Sequence, residues 1–81
     1  MPYSTGDLEM ARRHVAEGEQ RIGRQQALIE RLDAGGHPTG VAHELLDALE
    51  DVIELMRAHL IAIEADLSDR AFHQKLDRAL N

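Results

Sequence analysis

Residues 41–67 read VAHELLDALEDVIELMRAHLIAIEADL and carry two apolar stripes where a surface helix ordinarily carries one. The first stripe is Ala42, Leu46, Leu49, Ile53, Met56, Leu60, Ile63 and Leu67. Its alternating steps of four and three keep these side chains on one seam of an α-helix. The second stripe, Val41, Leu45, Ala48, Val52, Leu55, His59 and Ala62, advances in the same way and lies beside the first. One partner helix covers one seam. A second seam left in water is a long apolar patch, so it predicts a second partner.

The first partner lies upstream. Ser4-Thr5-Gly6-Asp7 fits a capping box, and a helix is predicted from about Asp7 to Ala34, with residues 1–6 as a frayed tail. Leu8, Val15, Ile22 and Ile29 recur every seven residues, with Ala11, Gly18, Gln25 and Leu32 between them. Gly18 and Gly23 each weaken an isolated helix by about 1 kcal/mol, so this helix depends on its neighbour. Gln25 is a polar residue in the seam, of the kind that fixes alignment at some cost in stability.

Gly35-Gly36-His37-Pro38-Thr39 separates the two helices. Its glycines suit a left-handed helix end, its proline cannot continue a helix, and its threonine can cap the next one. A short loop between helices of similar length predicts an antiparallel hairpin. One constant register pairs Leu32 with Ala42, Ile29 with Leu46, Gln25 with Leu49, Ile22 with Ile53, Gly18 with Met56, Val15 with Leu60, Ala11 with Ile63 and Leu8 with Leu67. Small residues on the first helix then meet large ones on the second. On one flank Arg12 falls opposite Glu64, Glu19 opposite Arg57 and Asp33 opposite His43, whereas Asp7 opposite Asp66 is a mismatch. Beyond Leu67 the spacing breaks at Ser68-Asp69, and Phe72, Leu76, Ala79 and Leu80 begin a new apolar face. A short C-terminal helix or a bent extension is predicted over about residues 69–80.

Composition agrees with an all-α fold. The 81 residues form one hairpin domain, near the size at which a single chain has difficulty burying enough apolar surface, and self-association is a common remedy. Cysteine is absent, which removes disulfides, thiolate metal sites and thiol nucleophiles. The net charge of −6 and the pairing of one Tyr with one Phe as the only aromatics argue against a nucleic acid or an anionic membrane as partner. The acid is concentrated in the second half, since residues 1–34 set five Arg against six acids while residues 35–81 set four cations against nine. No signal-peptide pattern opens the sequence and no apolar run approaches a membrane span, so a cytoplasmic location is expected.

The five histidines are the residues that invite chemistry. His14 and His59 become neighbours in the hairpin register, with Glu17 one turn beyond His14, and are the candidates for a metal ion. A specific site needs three or four converging ligands, and the Glu-x-x-His pairs of di-iron bundles are absent. No metal or cofactor is expected, and these histidines are read as amphipathic interface residues. No phosphate-binding Gly-rich loop and no nucleophilic triad pattern is present. The run Glu44, Asp47, Glu50, Asp51 and Glu54 is read as a solvated face, the alternative being a surface that docks a basic partner.

Three resemblances bear on function. Ala42-His43-Glu44-Leu45 resembles the opening of the phospho-acceptor motif of sensor histidine kinases, whose dimerisation domains are helical hairpins forming four-helix bundles. The Arg-Thr-Pro that usually follows is Leu46-Asp47-Ala48, and His43 begins the second helix instead of lying within the first. Ala58-His59-Leu60 is similar to histidine phosphotransfer domains but lacks their following Lys and Gly. Phosphotransfer on His43 or His59 is the activity these fragments imply. Over a longer span, Arg13-His14-Val15-Ala16-Glu17-Gly18-Glu19, Gln26-Ala27-Leu28-Ile29, Gly36-His37-Pro38-Thr39, Leu45-Leu46 and Met56-Arg57-Ala58-His59-Leu60 resemble a group of small uncharacterised proteobacterial proteins. That resemblance implies a stand-alone bacterial helical hairpin and adds no chemistry.

The expectation is therefore an all-α, coiled-coil-like antiparallel hairpin, non-enzymatic, that forms a homodimeric four-helix bundle through Val41, Leu45, Ala48, Val52, Leu55, His59 and Ala62. Folding this stripe antiparallel onto its own copy places Val52 on the twofold axis, with a parallel arrangement as the open alternative.

Overall fold

The structure, a computed structural model, describes residues 3–80. They form two helices, α1 over Thr5–Ala34 and α2 over Gly40–Leu80, packed along each other as an antiparallel hairpin. At 1.5 Å per residue the 30 residues of α1 span about 45 Å and the 41 of α2 about 60 Å, within overall extents of 70 × 15 × 14 Å.

The capping box forms as the sequence predicts. The Ser4 hydroxyl accepts the Asp7 backbone N–H at 3.1 Å, and Asp7 Oδ2 accepts the Ser4 backbone N–H at 2.8 Å. With Ser4 as the cap, Asp7 is the third helical residue, so α1 begins two residues before the expected start. At the other end the His37 N–H donates to the Leu32 carbonyl at 2.9 Å and the Gly36 N–H to the Asp33 carbonyl at 3.0 Å. These crossed bonds make a Schellman turn, which requires a left-handed residue, and Gly36 supplies it with φ 72°. At the start of α2 the Thr39 carbonyl accepts the His43 N–H at 2.9 Å, the first bond of the helix.

The two predicted seams meet. Every residue of both is buried or half-buried, while nearly all flanking positions are exposed. Ile63, Ile53 and Ala11 retain 1%, 2% and 5% of their surface. At Gly18 the side chains of α2 press close to the α1 backbone, because a Cβ there would stand 3.3 Å from Ile53 Cδ1 and 3.6 Å from Met56 Sδ. Gln25 is also buried, and its Nε2 donates to the Ala42 carbonyl at 2.8 Å. The polar seam residue thus ties the last third of α1 to the first turn of α2, which holds the sliding register of the hairpin.

Three expectations are corrected. Of the two readings of residues 69–80, the separate helix is not formed among the described residues and the extension is, since α2 runs unbroken through Ser68-Asp69 to Leu80. Neither Gly nor Pro occurs between Val41 and Leu80, and two i,i+4 contacts bridge the supposed break, Asp66 to Arg70 at 3.1 Å and Asp69 to His73 at 3.5 Å. The predicted frayed tail is ordered from Tyr3 onward, the Tyr3 N–H donating to Asp66 Oδ2 at 3.1 Å, while residues 1 and 2 lie outside the described residues. Of the three cross-helix charge pairs only Glu19–Arg57 closes, at 3.3 Å. His43 turns instead to its own cap, with Nδ1 3.0 Å from the Thr39 carbonyl. The Asp7–Asp66 mismatch is relieved because each carboxylate has other partners, Ser4 for Asp7 and Tyr3 with Arg70 for Asp66.

Candidate interaction face

The hairpin has two broad sides. On one, Glu19 pairs with Arg57, and a shallow groove runs past Gln26, Glu30 and His43. The other carries the second stripe of α2, and all seven of its predicted interface residues, Val41, Leu45, Ala48, Val52, Leu55, His59 and Ala62, are exposed.

The sequence reading missed what α1 contributes to this second side. Asp7, Met10, His14, Glu17, Arg21, Arg24, Leu28 and Arg31 step by three and four, one position before each seam residue, and all are exposed. They share hollows with α2: Tyr3, Asp7, Met10 and His14 with His59 at one end, His14, Glu17 and Arg21 with Met56 in the middle, and Arg21, Arg24, Leu28 and Arg31 with Leu45 and Leu49 at the other. The signal was present as a heptad spacing, but its residues are mostly polar, so an apolar pattern search passes over it. Beside the α2 stripe, on the side away from α1, stand exposed Glu44, Asp47, Asp51 and Glu54.

His14 and His59 do line one hollow, as the register predicts. Its volume of about 110 Å³ is well below the several hundred typical of small-molecule pockets. Among the described residues no three of His, Cys, Asp or Glu converge to hold a metal ion. The Tyr3 ring instead packs edge-on against His59, with centroids 5.6 Å apart and planes at 81°. Tyr3 is the second feature the sequence reading missed. His43, on the opposite broad side, joins neither histidine.

Asp7 is the titrating group with a shifted value here. The Ser4 backbone N–H, then the Ser4 hydroxyl, hold its carboxyl below the usual carboxylate range; slight desolvation opposes them and the charge on His59 adds to them. This arrangement caps α1. No helix among the described residues is long and apolar enough to cross a membrane. The chain matches no family model, no curated protein and no solved structure, so the reading of this face rests on its own physical chemistry.

Proposed function

We propose that this chain is a non-enzymatic helical interaction module, bacterial and cytoplasmic, that self-associates through the second stripe of α2 to form a four-helix bundle. One observation carries the reading: the imbalance between what the hairpin buries and what it leaves bare. Among the described residues only Ala11, Ile53 and Ile63 form the buried apolar core, while Val41 and Leu55 expose 81% and 72% of their surface, with Leu45 and Val52 about half exposed. Helices of this length draw most of their stability from packing an apolar face, and a small chain with so thin a core gains it most directly from a second copy.

Sedimentation tests the reading. The wild-type chain is expected to run as a dimer at micromolar concentration, and Leu55→Glu, which places a carboxylate in the stripe, as a monomer. Glu30→Lys, on the opposite broad side, leaves the dimer intact. A monomeric wild type, or a Leu55→Glu chain that still dimerises, would contradict the proposal.

A further inference from the structure

We infer that the second copy docks with its helices running in the same directions as the first, so that α2 of each copy lies on α1 of the other. The inference rests on the self-association proposed above and names its geometry. A twofold axis along the bundle keeps every residue at its own level, and each helix then has antiparallel neighbours, as in an up-down four-helix bundle. At the hairpin register Arg31 comes level with the partner's Glu44, Arg24 with the partner's Asp51 and Arg21 with the partner's Glu54. Twofold symmetry repeats all three pairs. All six side chains are exposed and none forms an ion pair among the described residues. Between them Leu28 meets the partner's Leu45, two leucines that already border one groove of the hairpin.

Packing α2 antiparallel onto the partner's α2 gives the opposite electrostatics. With Val52 on the axis, α1 lies over the partner's α1, and Arg21, within about 3 Å of the level of Val52 at 1.5 Å per residue, comes to face the partner's Arg21. Asp51 likewise approaches the partner's Asp51. Like charges brought together at an interface select against that register. A second observation is independent of charge. Residues 71–80 of α2 extend past the start of α1 and are exposed throughout, Phe72 and Leu80 by 62% and 76%. An isolated stretch this short is marginal as a helix in water. Same-direction docking brings both overhangs to one end of the bundle, whereas antiparallel docking sends them to opposite ends.

The chain has no cysteine, so Lys75→Cys offers one labelling position on the exposed overhang. Spin labels at that position are expected within about 30 Å of each other in the dimer, given interhelical spacings of about 10 Å. The antiparallel arrangement about Val52 separates them by about 70 Å at 1.5 Å per residue. Charge reversal supplies the second measurement. The triple change Arg21→Glu, Arg24→Glu, Arg31→Glu is expected to weaken self-association at least tenfold at low salt, as is Glu44→Arg, Asp51→Arg, Glu54→Arg. All six changes in one chain restore the wild-type dimer. Circular dichroism on each variant monitors helicity. A long label separation, or a triple variant that dimerises as tightly as wild type, overturns the orientation while leaving self-association standing. A monomeric wild type removes self-association itself.

Discussion

Val52 and Ile53 are neighbours in the chain and both belong to stripes with the same four-three step, yet one is about half exposed and the other fully buried. Nothing in their chemistry separates them. The difference is that α1 presents small and aliphatic residues to the first stripe, Ala11, Gly18 and Ile22 among them, and an arginine-rich row to the side on which the second stripe opens. A hairpin can close only one seam of a doubly apolar helix. Under the proposed self-association, the periodicity of the second stripe encodes a contact with another copy of the chain.

The sharpest way to break this comparison is to truncate one residue from each stripe. Ile53→Ala opens a cavity in the thin core and is expected to cost about 2–5 kcal/mol, enough to unfold a marginal hairpin. Leu55→Ala removes a side chain that touches little within the chain. Its cost is expected to appear in the association constant, with helicity at high concentration retained. Urea melts paired with sedimentation separate the two, and equal losses of fold stability for both variants would show that the stripes are not distinct.

The next effect is at Gln25. Removing its amide as Gln25→Ala forfeits the 2.8 Å bond to the Ala42 carbonyl together with buried side-chain area, an expected loss of about 1–2 kcal/mol in thermal or chemical unfolding. The carbonyl keeps its helical bond, so no orphaned acceptor is created. Gln25→Leu restores the area without the bond and is expected to recover most of the melting temperature. The protection of the Gly40–Leu46 amides against hydrogen exchange is expected to fall in both variants, because neither can lock the register.

Most of the hairpin was legible in the sequence because its determinants are local or periodic. Heptad spacing named both seams, the capping box at Ser4 was written in four residues, and the Gly36 turn followed from a left-handed requirement. What escaped depends on where long side chains go. Arg12 and Asp33 had complementary residues opposite them, but exposed pairs are worth only about 0.2–1 kcal/mol, too little to fix their rotamers. The Ser68-Asp69 step read as a break because the apolar pattern fails there. Helix continuity, however, needs only residues that tolerate it and the i,i+4 contacts of Asp66 and Asp69. The candidate face was half legible: its apolar stripe was identified, and its arginine row and Tyr3 were not.

The glycines of α1 give a smaller, opposed pair. Nothing lies within 4 Å of a Cβ built on Gly23, so Gly23→Ala is expected to stabilise by about 1 kcal/mol through helix propensity alone. At Gly18 the same gain is offset by crowding against Ile53, and Gly18→Ala is expected to raise the melting temperature less than Gly23→Ala or to lower it. The reverse order would mean that the helices are farther apart at that level than the structure shows.

Acid produces the smallest effect. Because folding lowers the Asp7 carboxyl, its contribution is present in full above the ordinary carboxylate value of about 4 and is lost as pH falls through the lowered folded value. Asp7→Asn is expected to make the stability of the hairpin less steeply dependent on pH below about 4, as followed by helical circular dichroism. An unchanged acid limb would remove Asp7 from the account of the α1 cap.

The central claim is that the bare stripe of α2 is covered by another copy of the chain and that this cover holds the fold together. Linked folding and association make the melting temperature rise with chain concentration. Thermal unfolding of the wild-type 9.1 kDa chain across a hundredfold concentration range tests this directly. A melting temperature that climbs steadily with concentration is the predicted result, and one that stays constant from micromolar upward, with full helicity, would contradict it.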